Sequence, residues 1–139
     1  MTWKPYKLDH EAQTLVIEHR DEKDVLTESH KMRMAVAYGL ERFWGEHLRF
    51  EKDTKDRAKS EYWKAVWIKL GEILEDAGIE LPDKQGKVKL NETEKIKNVS
   101  QKIWEMKPED IQIALMILTE LCNSLVWWTQ RYKIKKDGN

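Results

Sequence analysis

Residues 108–133 read PEDIQIALMILTELCNSLVWWTQRYK, and the reading of this stretch decides the fold. Pro108 suits a first helical turn, where its fixed φ is already helical and its missing N–H would have had no partner. Glu109 and Asp110 follow it and complement the partial positive charge of a helix start. Apolar residues then recur at Ile111, Leu115, Leu118, Cys122, Leu125 and Trp128, and Ala114, Ile117 and Leu121 widen the stripe. Only a narrow strip through Gln112, Thr119, Asn123, Gln130 and Arg131 stays polar. A helix apolar over most of its circumference belongs in the middle of a bundle. The spacing predicts a buried core helix from Pro108 to about Lys133.

The rest of the chain reads as the helices packed around it. Met1–Leu8 is expected to be an irregular arm, with Pro5 favouring an extended approach and Trp3 and Tyr6 available to pin it. Asp9 caps a first helix over His10–Arg20, with Leu15 and Val16 on its buried side. Thr27 or Ser29 caps a long second helix reaching Phe50, with Met32, Val36, Leu40, Phe43 and Phe50 in one stripe and His47 in the same line. Gly39 and Gly45 inside it cost about 1 kcal/mol each relative to alanine and are read as marks of close helix contact. A third helix spans Lys55–Ala77, and Gly78 stands where a left-handed C-cap glycine belongs. Residues 79–90, IELPDKQGKVKL, form the one real loop, with turn formers Pro82, Asp83 and Gly86 and a small basic patch at Lys84, Lys87 and Lys89. Asn91 and Glu94 resemble a capping box for a fourth helix, Glu92–Glu105. Residues 134–139 form a basic tail. The expected architecture is all-α: one domain over residues 1–139, a bundle of about five helices around the C-terminal one.

Composition narrows the function classes. The 139 residues carry 25 Lys plus Arg against 25 Asp plus Glu, so net charge gives no sign of a strongly basic nucleic-acid binder. Glu- and Lys-heavy usage with three prolines and six glycines favours helices and weakly fits a thermophilic source. Cys122 is the only cysteine, which rules out an intrachain disulfide and a multi-cysteine zinc site and fits a reducing cytoplasm. Its place on the apolar stripe reads as that of a small buried hydrophobe. The start, MTWKPYKLDHEAQ, has no apolar leader, and no stretch approaches the roughly 20 uninterrupted apolar residues of a membrane span. A soluble cytoplasmic protein without a membrane partner is the expectation.

Few residues carry recognisable chemistry. The sequence has no glycine-rich phosphate loop, no serine elbow, no paired His/Glu metal motif and no clustered acids of the magnesium-binding kind. His10 and His19 lie nine apart, more than two turns of helix, and read as ordinary exposed histidines. No metal or cofactor is expected. Arg42-Phe43-Trp44-Gly45-Glu46-His47 matches the arginine–four residues–histidine spacing of HEPN-type ribonucleases. In that resemblance His47 would be the acid or base and Arg42 the phosphate-stabilising cation. Yet five helical residues rotate the two side chains about 140° apart, and His47 falls on the apolar stripe.

The polar strip of the last helix holds the more suggestive group. Steps of three and four carry Asn123 to Trp127 and on to Gln130 and Arg131, so Trp127 sits on the strip rather than on the buried face with Trp128. Lys133, Lys135 and Lys136 follow, with no acid before Asp137. An aromatic plane beside a run of cations can hold single-stranded nucleic acid by stacking and phosphate contact. The plainer reading packs Trp127 under a neighbouring helix and leaves the lysines as a solvated helix end. The segment Leu118–Lys133 resembles the last helix of the small all-helical subunits of CRISPR effector complexes. Leu121, Leu125-Val126-Trp127-Trp128 and Arg131-Tyr132-Lys133 carry that resemblance. Met34-Ala35-Val36-Ala37-Tyr38 is similar to the alanine- and tyrosine-rich helix near the start of those proteins.

The resemblance implies a non-enzymatic subunit, capable of self-association, that contacts guide or target backbone, RNA or single-stranded DNA, beside neighbouring subunits. Carried to this chain, the contacts fall on Arg131, Lys133, Lys135 and Lys136, with Trp127 as stacking partner and Arg42 and Arg49 as a second pair. The balanced charge fits a subunit whose affinity comes mainly from its neighbours. A ribonuclease using Arg42 and His47, and a helical protein-interaction module anchored by some of the seven tryptophans, are the competing readings.

Overall fold

The structure, a computed structural model, describes residues 5–22 and 24–132, with side chains from Lys7 onward. Six α-helices follow in order: α1 Pro5–His19, α2 Glu28–Ala35, α3 Leu40–Phe50, α4 Arg57–Asp76, α5 Thr93–Trp104 and α6 Pro108–Tyr132. Short 3-10 turns at Val36–Tyr38 and Thr54–Asp56 precede α3 and α4. No strand occurs among the described residues, and the fold is an all-α bundle.

The core helix stands where its periodicity puts it. Ala114, Ile117, Leu118, Leu121, Cys122 and Leu125 are buried, and α6 packs against α1, α2, α3 and α4. Burial raises the Cys122 thiol to about 12, so it behaves as an apolar group at neutral pH. Contrary to expectation, α6 is long and apolar enough by length and composition to cross a membrane; here its apolar stripe is buried within the bundle. Three hydroxyls cross the interior beside it. Ser29 Oγ lies 2.6 Å from both Tyr62 Oη and Thr129 Oγ1, tying α2, α4 and α6 together.

Three boundaries depart from the sequence reading. The arm gives way to helix from Pro5, which starts α1 for the same reason that Pro108 starts α6, and Leu8 is buried in the core. Trp3 and the Tyr6 side chain lie outside what is described. The long second helix is broken: Gly39 has φ 97° and ψ 172°, so the chain turns between the 3-10 turn and α3. Open space surrounds both Gly39 and Gly45, so neither marks a close helix contact. The stripe itself survives the break, with Met32, Val36, Leu40, Phe43 and Phe50 all buried. Finally, Asn91 and Glu94 form no capping box. Glu92 stands at the cap of α5 without a side-chain cap bond, accepting instead from the Lys89 N–H at 2.9 Å and pairing with Lys95.

Other signals hold. Gly78, at φ 78°, closes α4 with Ile79 N–H donating to Leu74 O and Gly78 N–H to Glu75 O, the left-handed glycine cap that was expected. The loop 79–90 is irregular and anchored by two buried indoles. Trp44 Nε1–H donates to Asp83 Oδ2 at 3.0 Å, and Trp67 Nε1–H is shared between the carbonyls of Pro82 and Asp83, both at 3.1 Å.

Candidate nucleic-acid interface

Trp127 and Trp128 are neighbours in sequence, but a helix turns about 100° between consecutive residues and sends them to different surroundings. Trp128 is half-buried: its Nε1–H donates to Asp9 Oδ1 on α1 at 3.0 Å, and its ring stacks on Tyr132 at 5.7 Å. The Arg131 guanidinium lies 5.6 Å from the Trp128 ring, and Arg20 lies 5.4 Å from that of Tyr132. Gln13 donates to the Tyr132 hydroxyl at 3.2 Å. Trp127 is 58% exposed and is not packed under any helix among the described residues. Arg131 thus rests on Trp128, leaving the face of Trp127 open.

The surface around Trp127 is completed by α2. Ser29 meets Thr129, while Arg33, one turn later, donates from Nε to Asn123 Oδ1 at 2.5 Å. The two helices therefore run antiparallel, and exposed Arg33 meets the polar strip of α6 at Asn123, one turn before Trp127. Arg33 belongs to this site, and sequence reasoning missed it. Nothing in the α6 sequence points to a residue ninety positions earlier; only the packing of α2 on α6 brings it there. Exposed Glu120, one turn before Asn123, keeps the edge from being purely cationic. Lys133, Lys135 and Lys136 lie outside the described residues.

Arg42 and Arg49 share the exposed side of α3 but not the Trp127 edge. Arg49 is paired with Glu46 at 2.6 Å, and its guanidinium lies 4.4 Å from the Phe50 ring, so its charge is largely answered within the helix. Arg42 lies 5.7 Å from the Tyr38 ring and has no carboxylate partner among the described residues. It lines a cleft with Ile111 and Leu115. Leu115 is twelve residues before Trp127, about 18 Å along α6 at the usual rise.

His47 is only 1% exposed. Its Nδ1 lies 2.6 Å from the Trp44 carbonyl and so donates to it, while Nε2 is buried without a protein partner. Burial holds its pKa below the usual 6.5, against the opposing pull of that carbonyl bond. Arg42 points to solvent on another side of α3, so the ribonuclease pairing suggested by their spacing is not assembled within this chain. His10 is exposed, but His19 is not an ordinary surface histidine. Its Nδ1 is 2.9 Å from the Leu15 carbonyl, and its ring lies 4.9 Å from that of Tyr62.

The basic patch of the loop is partly neutralised, since Lys84 Nζ sits 2.6 Å from Glu75 and 2.8 Å from Glu80. Among the described residues no three His, Cys, Asp or Glu side chains gather as a metal site. The chain matches no protein-family model, no curated protein and no solved structure.

Proposed function

We propose that this chain is a non-catalytic helical subunit of a ribonucleoprotein assembly, most concretely a CRISPR effector complex, that contacts single-stranded nucleic-acid backbone along the α2–α6 edge. The observation that carries this reading is Trp127: a large ring left 58% exposed on the same strip of α6 as Asn123, to which Arg33 donates. Every base offers a face for stacking, and cations beside the ring answer phosphate, so such an edge is sequence-tolerant and salt-sensitive. Arg131 and Arg33 provide the described cations, and Lys133, Lys135 and Lys136 extend the run. The balanced overall charge suits a subunit that adds a few phosphate contacts to those of its neighbours.

The test is a gel shift and cleavage assay on one labelled single-stranded RNA at low and moderate salt. Binding should weaken steeply with salt while the RNA stays intact. Trp127→Ala should cost about tenfold, as loss of one stacking contact does. Changing Arg131, Lys133, Lys135 and Lys136 together to alanine should abolish the shift. RNA cleavage that disappears in Arg42→Ala would overturn the non-catalytic reading, and binding unaffected by either α6 variant would move the interface elsewhere. A protein-interaction module is the second reading, favoured by the exposed rings of Tyr38 and Trp104.

A further inference from the structure

Asn123 stands one turn before Trp127 on α6, and side chains four apart on a helix have their Cβ atoms about 6 Å apart. Helical side chains lean toward the N-terminus of their helix, so the Trp127 indole leans over the turn that carries Asn123. A base stacked on that ring has Asn123 as its neighbour on one side and Arg131, one turn later, on the other.

An asparagine amide offers one acceptor and two donors, and left to itself it can turn either end outward. Asn123 is not left to itself, since Arg33 Nε–H donates to its Oδ1 at 2.5 Å. Arginine has five N–H donors and no acceptor, so only the amide oxygen can face it. That bond occupies the carbonyl and fixes Nδ2 the other way, where it has no partner among the described residues. The remaining guanidinium N–H groups of Arg33 are donors too. Glu120, an exposed acid on the same strip, lies about two turns before Trp127, on the far side of Asn123. Gln130, on the other side of the ring, has no bond that fixes its amide.

Phosphates are answered on the C-terminal side of Trp127, by Arg131 and the lysines that follow it in sequence. A nucleotide laid that way keeps its sugar on that side, and the base edge farthest from the sugar points back to Asn123. At that edge uracil and guanine carry a carbonyl oxygen, whereas cytosine and adenine carry an amine. A fixed donor bonds the carbonyl and opposes the amine.

We propose, resting on the nucleic-acid reading above, that Asn123 is a specificity-determining residue which makes the Trp127 edge prefer uracil or guanine to cytosine or adenine in a single strand. Asn123 donates to the base, and Arg33 is a positioning residue that acts through it.

Fluorescein-labelled oligouridine and oligocytidine of equal length are titrated with the full chain at neutral pH and low salt, and binding is read by polarisation. The two share a backbone and differ at the edge in question, so charge acts on both alike. Wild type should bind oligouridine about five- to tenfold more tightly, the scale of one hydrogen bond. Asn123→Asp keeps an oxygen for Arg33 but puts an acceptor where Nδ2 was. Its added charge weakens both oligomers, and the ratio of their affinities should fall to unity or invert. Arg33→Ala frees the amide to turn, and the ratio should fall toward unity. Both residues are exposed, and thermal melts of the variants check that folding is intact.

Equal affinities, a preference for oligocytidine, or a uridine preference that Asn123→Asp leaves unchanged would overturn this inference and leave the nucleic-acid reading standing. A uridine preference that survives Arg33→Ala would overturn the positioning role of Arg33. Binding of neither oligomer at low salt would withdraw the inference together with the reading beneath it.

Discussion

Three tryptophans of α3 and α4 and two on the α5–α6 side share a side chain but not a fate. Trp44, Trp63 and Trp67 are buried, and every one of their indole N–H groups is spent: on Asp83, on Glu28, and on the carbonyls of Pro82 and Asp83. Phe43 and Phe50 lie against Trp63, with ring centroids 5.0 and 6.4 Å away, and close the cluster. Trp104 and Trp127 are mostly exposed and donate to nothing among the described residues. A buried indole needs an acceptor because its N–H has been taken out of water. The difference teaches that the first group is structural and the second is surplus to folding, which is why the second carries both functional readings.

The sharpest way to break that division is Trp63→Ala. It opens a cavity and takes from the fully buried Glu28 carboxylate its 2.9 Å donor, leaving Lys31 at 3.2 Å and Lys59 at 4.0 Å as its remaining partners. Urea denaturation should show a loss of about 3–5 kcal/mol, the range for removing a buried tryptophan. A loss below about 1 kcal/mol would mean that the cluster is not structural.

A smaller effect follows from His47, whose ring stands edge-on to Trp44 at 5.8 Å. Its folded pKa is lowered below 6.5, so the folded state binds fewer protons than the unfolded one. The stability this confers is present above about pH 6.5 and is lost as pH falls through that value toward the folded pKa. Unfolding measured at pH 7.5 and pH 5 should show a drop in stability that shrinks in His47→Gln. An equal drop in the variant would detach His47 from it.

The smallest effect belongs to the exposed pair. Trp104→Ala and Trp127→Ala should each change stability by less than about 0.5 kcal/mol, as surface substitutions do. A loss of 2 kcal/mol from either would place that ring among the structural ones and withdraw the reading built on it.

Much of this was legible in the sequence, and the failures have physical causes. The α6 stripe was legible because a central helix must be apolar on several sides, a pattern that few other arrangements produce. Gly78 was legible because a glycine at the end of a periodic run has one common use. Gly39 was misread because a single glycine inside an unbroken stripe looks the same whether the helix continues or turns. The stripe resumes in register after the turn, and only the φ of 97° separates the two cases. Trp127 was placed on the polar strip from spacing alone, and the structure leaves it exposed there. The burial of His47 was legible from its place on the apolar stripe, whereas Arg33 and the cleft between Tyr38 and Trp104 depend on which helix lies beside which. No local pattern encodes that.

The hydroxyl chain from Ser29 through Thr129 has a consequence in time. It joins positions one hundred residues apart, and α6, the helix on which α1 and α2 chiefly pack, is synthesised after both. On a ribosome α3, α4 and their loop can meet early, since their partners are close in sequence. The first two helices must wait for Tyr132 with their apolar sides uncovered. Translation therefore leaves this chain an interval in which its oldest segments are its least protected.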